Sequence, residues 1–284
     1  MDTKTLKIGL ILFGLTGLNV FAHSPDKLPL GDGKLSNEPK VGYIWNCDTR
    51  NPNNLGRGMV GAHREGFWID KQNKTWDSTI KPMVEGNDNW DNSFLIKEKD
   101  NQLIIITNGL PNHNTGQYPI RKHTQAFQYD RNPNSIKEQS ISMVIPKNPI
   151  EGEGRCLPPR VGIMKNGVIL LNALDLPKRD APAHEIQDSC DGHPEERGVY
   201  HYHNLSKCLK DKPNKEGHSE IMGFAIDGFG IYGKYSNNKK ITNEDLDGCH
   251  GHKHKISWLG KEQEMYHYHS TDEYPYTLGC LKGK

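Results

Sequence analysis

A mainly β fold, sandwich or barrel-like, is predicted by three observations. A Tyr-His-Tyr-His tetrad occurs twice, at 200–203 and 266–269. Glycine (29) and proline (17) punctuate the chain at short intervals, and runs with helical periodicity are scarce. Aromatic alternation within the tetrads favours strand, where successive side chains point to opposite faces. Each tetrad then presents two histidines on one face, about 6.6 to 6.8 Å apart along the strand. Imidazoles at that spacing can converge on one ion at about 2.0 to 2.1 Å per bond. In a helix the same two histidines would lie on opposite sides.

The tetrads sit inside a longer unit that the chain repeats in order. The first copy reads Gly162-Ile163, Asn166-Gly167-Val168, Cys190-Asp191-Gly192-His193, the tetrad and Cys208. The second reads Gly223-Phe224, Asp227-Gly228-Phe229, Cys249-His250-Gly251-His252, the second tetrad and Cys280. Within each, Val161–Leu171 and Met222–Tyr232 read as strand, Asn-Gly or Asp-Gly turn, strand, which predicts a type I′ hairpin twice over. The expected architecture is an internal duplication of hairpin, loop and tetrad strand across a core of residues 160–281.

These segments resemble the YHYH-domain family, mostly secreted bacterial proteins whose biochemical role is poorly established. The resemblance rests on Ala183-His184-Glu185-Ile186-Gln187-Asp188, Cys190 to His193, Gly198 to His203, Ala225 to Gly233 and Tyr266 to Gly279. It implies an exported β domain and names no activity.

The chain opens with Lys4 and Lys7 ahead of an apolar run that closes on Val20-Phe21-Ala22, the pattern of a secretory signal peptide over residues 1–22. Cleavage after Ala22 is expected, giving a periplasmic or extracellular protein with no membrane attachment afterwards. Residues 23–40, rich in Pro, Gly, Asp and Lys, read as a flexible leader, and 41–284 as the β domain. Thirty-six basic against 35 acidic residues give a formal charge of +1, which provides no electrostatic footprint for nucleic acid. No protein partner is indicated.

Six cysteines in an exported chain form an even set in an oxidising compartment. The duplication pairs Cys190 with Cys208 and Cys249 with Cys280, one bridge per copy, and leaves Cys47 with Cys156. Between 41 and 159, Leu103–Thr107 reads as a strand meeting an Asn108-Gly109 hairpin turn, and Ile141–Ile145 as another strand. His63, His113 and His123 read as ordinary polar histidines, with His113 the best exception.

Two copies packed about a pseudo-twofold axis would bring His201, His203, His267 and His269 to one shared centre, joined by His193 and His252. All-imidazole ligation suits copper or zinc and does not suit calcium or magnesium. The first reading is therefore an exported protein binding copper or zinc. A metal-dependent hydrolase or redox enzyme is the second, with His184, Glu185, Asp188 and Asp191 as acid–base candidates near the metal. A short helix over 183–188 would put His184 and Asp188 on one face. A disulfide-stapled interaction module without metal is the third: there the tetrad histidines would hydrogen-bond one another and the loop carboxylates.

Overall fold

The computed structural model describes residues 23–50 and 63–284. The signal-peptide segment lies outside the described residues. The first strands are two residues each: β1 (Leu28–Pro29), β2 (Leu35–Ser36), β3 (Ile44–Trp45), β4 (Ile69–Asp70) and β5 (Thr75–Trp76). Next come β6 (Phe94–Lys99), β7 (Gln102–Thr107), helix α1 (Gln125–Tyr129), β8 (Ile141–Pro146) and β9 (Glu151–Arg155). The first half of the core holds β10 (Arg160–Met164), β11 (Ile169–Leu171), helix α2 (Ala181–His184), β12 (Gly192–Pro194) and β13 (Tyr200–Tyr202). The second half holds β14 (Ile221–Ala225), β15 (Gly230–Tyr232), β16 (Tyr235–Ser236), β17 (Lys239–Lys240), β18 (Gly251–Trp258) and β19 (Lys261–His269); β20 (Leu281–Gly283) ends the chain's strands.

The fold is mainly β with several sheets. The central one has eight strands in the order β12-β13-β11-β10-β14-β15-β19-β18, and it is open, with β12 and β18 at its edges. From the middle outward, both directions meet an antiparallel hairpin, a parallel tetrad strand and an antiparallel edge strand. The registers agree residue for residue. Leu170 pairs with Tyr202 as Ile231 pairs with Tyr268, and His193 pairs with His201 as His252 pairs with His267.

β6, β7 and β8 form a three-stranded meander. Its Leu103, Ile105 and Ile145 make one buried cluster with Ile163, Ile169, Phe224 and Trp258 of the central sheet. A larger cluster holds all four tetrad tyrosines, Tyr200, Tyr202, Tyr266 and Tyr268. Two glycines make room for the tyrosine face: a Cβ on Gly192 would collide with the Tyr200 ring, and one on Gly251 with the Tyr266 hydroxyl.

Several local expectations are corrected. The core hairpins form, but not with type I′ turns. Gly167 and Gly228 have φ of +84° and +97°, while Asn166 and Asp227 are not left-handed. The amides of Gly167 and Gly228 donate to Met164 and Ala225, so each is a three-residue loop with glycine in the left-handed position. The side chains before those glycines are engaged in the core: Asn166 Nδ2 donates to the Tyr202 hydroxyl (3.1 Å), and the Tyr268 hydroxyl donates to Asp227 (2.6 Å). Asn108-Gly109 is not a hairpin turn, because the Asn108 amide group is used at Ser93 and Asp91; the tight turn beside β7 is instead the one at Asp100 that joins β6 to it.

Residues 23–40 are not loose. Leu28 and Leu30 are buried in the core, and the Gly31 amide donates to Asp180 (2.8 Å). The helix expected over 183–188 is α2, ending at His184, with Asp180 as its N-cap. His184 and Asp188 therefore share no helical face.

All six cysteines are paired, Cys47–Cys156, Cys190–Cys208 and Cys249–Cys280. The bridges span 109, 18 and 31 residues. Loop-closure entropy then makes Cys47–Cys156 worth about 4 to 5 kcal/mol and Cys190–Cys208 about 3 kcal/mol. Urea unfolding of the two double-serine variants should rank them in that order, and equal losses would contradict it.

Candidate metal centres

The registers bring histidines together at two places. His201 and His203 project from one face of the first tetrad, and His193 stands opposite His201 on the neighbouring strand, so three imidazoles meet. Ring centroids lie 4.4 Å (His193–His201), 5.0 Å (His201–His203) and 5.6 Å (His193–His203) apart. Glu185 joins them, its Oε2 3.1 Å from His203 Nε2 and 3.2 Å from His193 Nε2. Helix α2 aims this carboxylate. Asp180 anchors the helix through Gly31 and the Tyr276 hydroxyl (2.9 Å), and the Trp68 indole donates to Ala183 (2.8 Å).

At the other end of the sheet His267 and His269 repeat the arrangement, with His252 opposite His267. The fourth member is His218, from the turn before β14, where the Asn214 side chain holds the His218 amide at 3.1 Å. The Nε2 atoms of His218, His267 and His269 form a triangle with all three edges at 3.1 Å.

Backbone carbonyls fix which nitrogen carries the proton. His267 Nδ1 faces Met265 O (3.1 Å), His269 Nδ1 faces Gly233 O (2.6 Å), and His218 Nδ1 faces Ser219 O (2.7 Å). A carbonyl only accepts, so each Nδ1 is an N–H donor and each neutral ring turns a bare Nε2 lone pair inward. Three lone pairs at 3.1 Å have no proton to share in the neutral state. A tetrahedral ion with ligands at about 2.0 to 2.1 Å places its donors about 3.3 Å apart, close to the spacing found. The second cluster therefore fits a borderline cation.

The first cluster uses the same device: His201 Nδ1 faces Val199 O (3.0 Å) and His203 Nδ1 faces Asn172 O (2.5 Å), with the two Nε2 atoms 3.2 Å apart. It differs in having Glu185. Neither histidine approach to Glu185 is aligned as a hydrogen bond, and Glu185 Oε2 and both ring nitrogens of His193 are buried without one. The donor set, three imidazoles and a carboxylate, also fits a divalent ion.

Electrostatics separates the two. Burial lowers His267 and His269 well below the usual imidazole value, and neighbouring imidazoles push the same way. Burial, with His218 and His254 alongside, takes His252 down to about 4. Burial likewise lowers His201, but at His203 it is outweighed by Glu185, so His203 is raised. Burial alone would raise Glu185, yet facing His193 and His203 it falls well below the usual carboxylate range.

The six histidines expected at one centre thus divide into two groups. Four inter-strand neighbours, β11, β10, β14 and β15, separate the tetrad strands, which at about 4.8 Å per step puts them about 24 Å apart. No single ion can join them. A shared centre does not form because both tetrad strands lie in one sheet with four strands between them.

Of the acid–base candidates, only Glu185 reaches a cluster. His184 is held by Asp32 (2.9 Å). Asp188 accepts from the Tyr200 hydroxyl (2.8 Å) and from the amides of Gly116, Cys190 and Gly192, and Asp191 pairs with Lys207 (2.9 Å). His113 meets the Tyr202 hydroxyl (2.5 Å). It also lies near the sulfurs of Cys190 and Cys208, but a disulfide offers no thiolate. His63 lies 3.4 Å from Asp130.

Sequence reasoning missed His218 and His254. His254 was legible, since His252-Lys253-His254 repeats the alternate spacing of the tetrads. His218 falls outside the features that the two matching segments share, and no spacing signals it; Glu244, at the position matching Glu185, is exposed and takes no part.

A family model described as YHYH protein matches residues 142–244. The chain carries a YHYH domain. The matched span includes the whole first cluster and His218, and stops short of His252, His267 and His269. No curated protein and no solved structure matches.

Two histidines give the metal-free protein a defined acid response. His250, outside both clusters, is lowered to about 4 by burial, as is His252. Unfolded histidine titrates near 6.5, so the unfolded chain takes up these protons first as pH falls. Their stabilising contribution is full above about pH 6.5 and is lost progressively toward pH 4. His203, being raised, acts in the opposite sense but is outnumbered. The melting temperature of chelator-treated protein should fall across that window, and a flat profile would contradict the assignment.

Proposed function

We propose that this is an exported metal-binding protein that holds two separate copper or zinc ions, one at each tetrad, in an internally duplicated domain. The observation that carries the reading is the triangle of Nε2 atoms from His218, His267 and His269, 3.1 Å on every edge and without protons to share. A core hydrogen-bond network would instead pair histidines with the loop carboxylates. Glu185 stands in that position at the first cluster, but at the second the nearby carboxylates are taken by the tyrosine face, Tyr266 with Asp247 and Tyr268 with Asp227.

The matching registers and hydrogen bonds of the two halves support duplication. His201 and His267 each turn Nδ1 to the carbonyl two residues earlier, and His203 and His269 turn theirs to Asn172 and Gly233, which follow β11 and β15. Three disulfides support an oxidising compartment, and with it export. Among the described residues no helix is long and apolar enough to cross a membrane.

Holding fits better than catalysis. His193, His201 and His203 are each under 5% exposed, and His267 and His269 are fully buried. Two surface clefts, one of about 270 Å³ lined by Lys81, Asp188, Asp191, Lys207 and Lys234 among others and one of about 280 Å³ beside Trp68 and Trp76, are lined by none of the cluster histidines. A hydrolytic or redox site needs an open coordination position that substrate can reach.

Elemental analysis and titration of the exported protein should give two equivalents of zinc or copper. His267→Ala and His201→Ala should each abolish one equivalent, weakening their own centre about 100-fold or more, with additive effects in the double variant. Failure to bind either metal at micromolar concentration and neutral pH would overturn the proposal.

A further inference from the structure

The two centres differ in their access to water. In the first, every histidine is buried, and the Glu185 side chain is only 12% exposed. The second is buried at His218, His267 and His269 but partly exposed at His252 and His254. Those two residues alternate on β18, the edge strand of the sheet, with the exposed Lys253 and Lys255 between and after them. His252 contributes to the four-histidine group, and its Nε2 is buried without a hydrogen-bond partner. His254 stands outside that group, yet its ring lies parallel to His218 (7°) at 5.4 Å, and its Nδ1 is also unpartnered. Ring centroids step inward from His254 to His252 (5.9 Å) and from His252 to His267 and His269 (4.8 Å each).

We infer that β18 is the route by which metal enters and leaves the second centre, with His254 as a transient outer ligand. This rests on the metal-binding reading and assigns the two centres different work: the second exchanges its ion with hydrated divalent cations in the surroundings, and the first keeps its own. The physical basis is stepwise ligand exchange. A hydrated cation cannot cross to a buried triad in one step without shedding water before it gains nitrogen. Two unpaired imidazoles at the rim replace water one ligand at a time, so the barrier is divided. The first centre has no such ladder, because β12 ends at Pro194 and Glu195 follows where a second alternate histidine would stand.

The test uses the full exported chain loaded with two equivalents of zinc, mixed with a chromophoric chelator in a stopped-flow instrument. Wild type should release zinc in two phases differing at least about 10-fold in rate. His201→Ala should remove the slow phase. His254→Ala and His254→Gln should slow the fast phase about 10-fold or more, while His252→Ala should weaken binding itself. Lys253→Ala, an exposed change on the same strand, serves as the control. A single release phase from the two loaded sites would overturn the inference, as would a fast phase indifferent to His254. Loss of equilibrium affinity in His254→Ala equal to that in His252→Ala would make His254 an ordinary ligand and overturn it too. Absence of any bound zinc would instead defeat the metal reading beneath it.

Discussion

The donation of Nδ1–H from the tetrad histidines and His218 to backbone carbonyls is the constraint on which the candidate sites depend. It fixes the tautomer, orients the ring and sends the Nε2 lone pairs inward. Without it, neighbouring imidazoles at 3.1 to 3.2 Å could settle into donor–acceptor pairs and the clusters would be ordinary polar packing. The carbonyls that impose this lie two residues before each tetrad's first histidine, at Val199 and Met265, in the segments just after β11 and β15, at Asn172 and Gly233, and at Ser219 for His218. The hairpin therefore builds the sheet and also sets the chemistry of the strand beside it.

The opposite face of each tetrad is equally committed. The hydroxyls of Tyr200 and Tyr266 reach Asp188 and Asp247, which also gather the amides of Cys190 and Cys249, next to a disulfide in each half. A strand pinned on its tyrosine side by a carboxylate and a covalent bridge can hold its histidine side still. This is the support a buried metal centre needs, since orientation must be held by groups behind the ligands. The clusters differ in what completes them, Glu185 at one and His218 with the β18 histidines at the other.

Much of this was legible in the residues. The alternation of Tyr and His placed the tetrads on strands, and the ordered repetition of Gly, Cys and tetrad gave the disulfides and the paired hairpins. The turn type was not, because Asn166 and Asp227 are used by Tyr202 and Tyr268, contacts between distant segments that no local pattern reveals. The number of centres was also hidden. Two matching segments can face each other or lie side by side, and the β10–β14 pairing that decides it is a long-range contact. His218 could not be found by spacing, since only the second cluster uses it.

The central claim is that two ions sit in two separate nests of Nε2 atoms. Anomalous diffraction at the absorption edge of the bound metal, from crystals of protein exported and purified without added chelator, tests it most directly. The account predicts two peaks about 24 Å apart, one beside His201 and His203 and the other beside His218, His267 and His269, each at about 2.0 to 2.1 Å from Nε2. A single peak bridging the tetrads, or clusters that contain only ordered water, would contradict it.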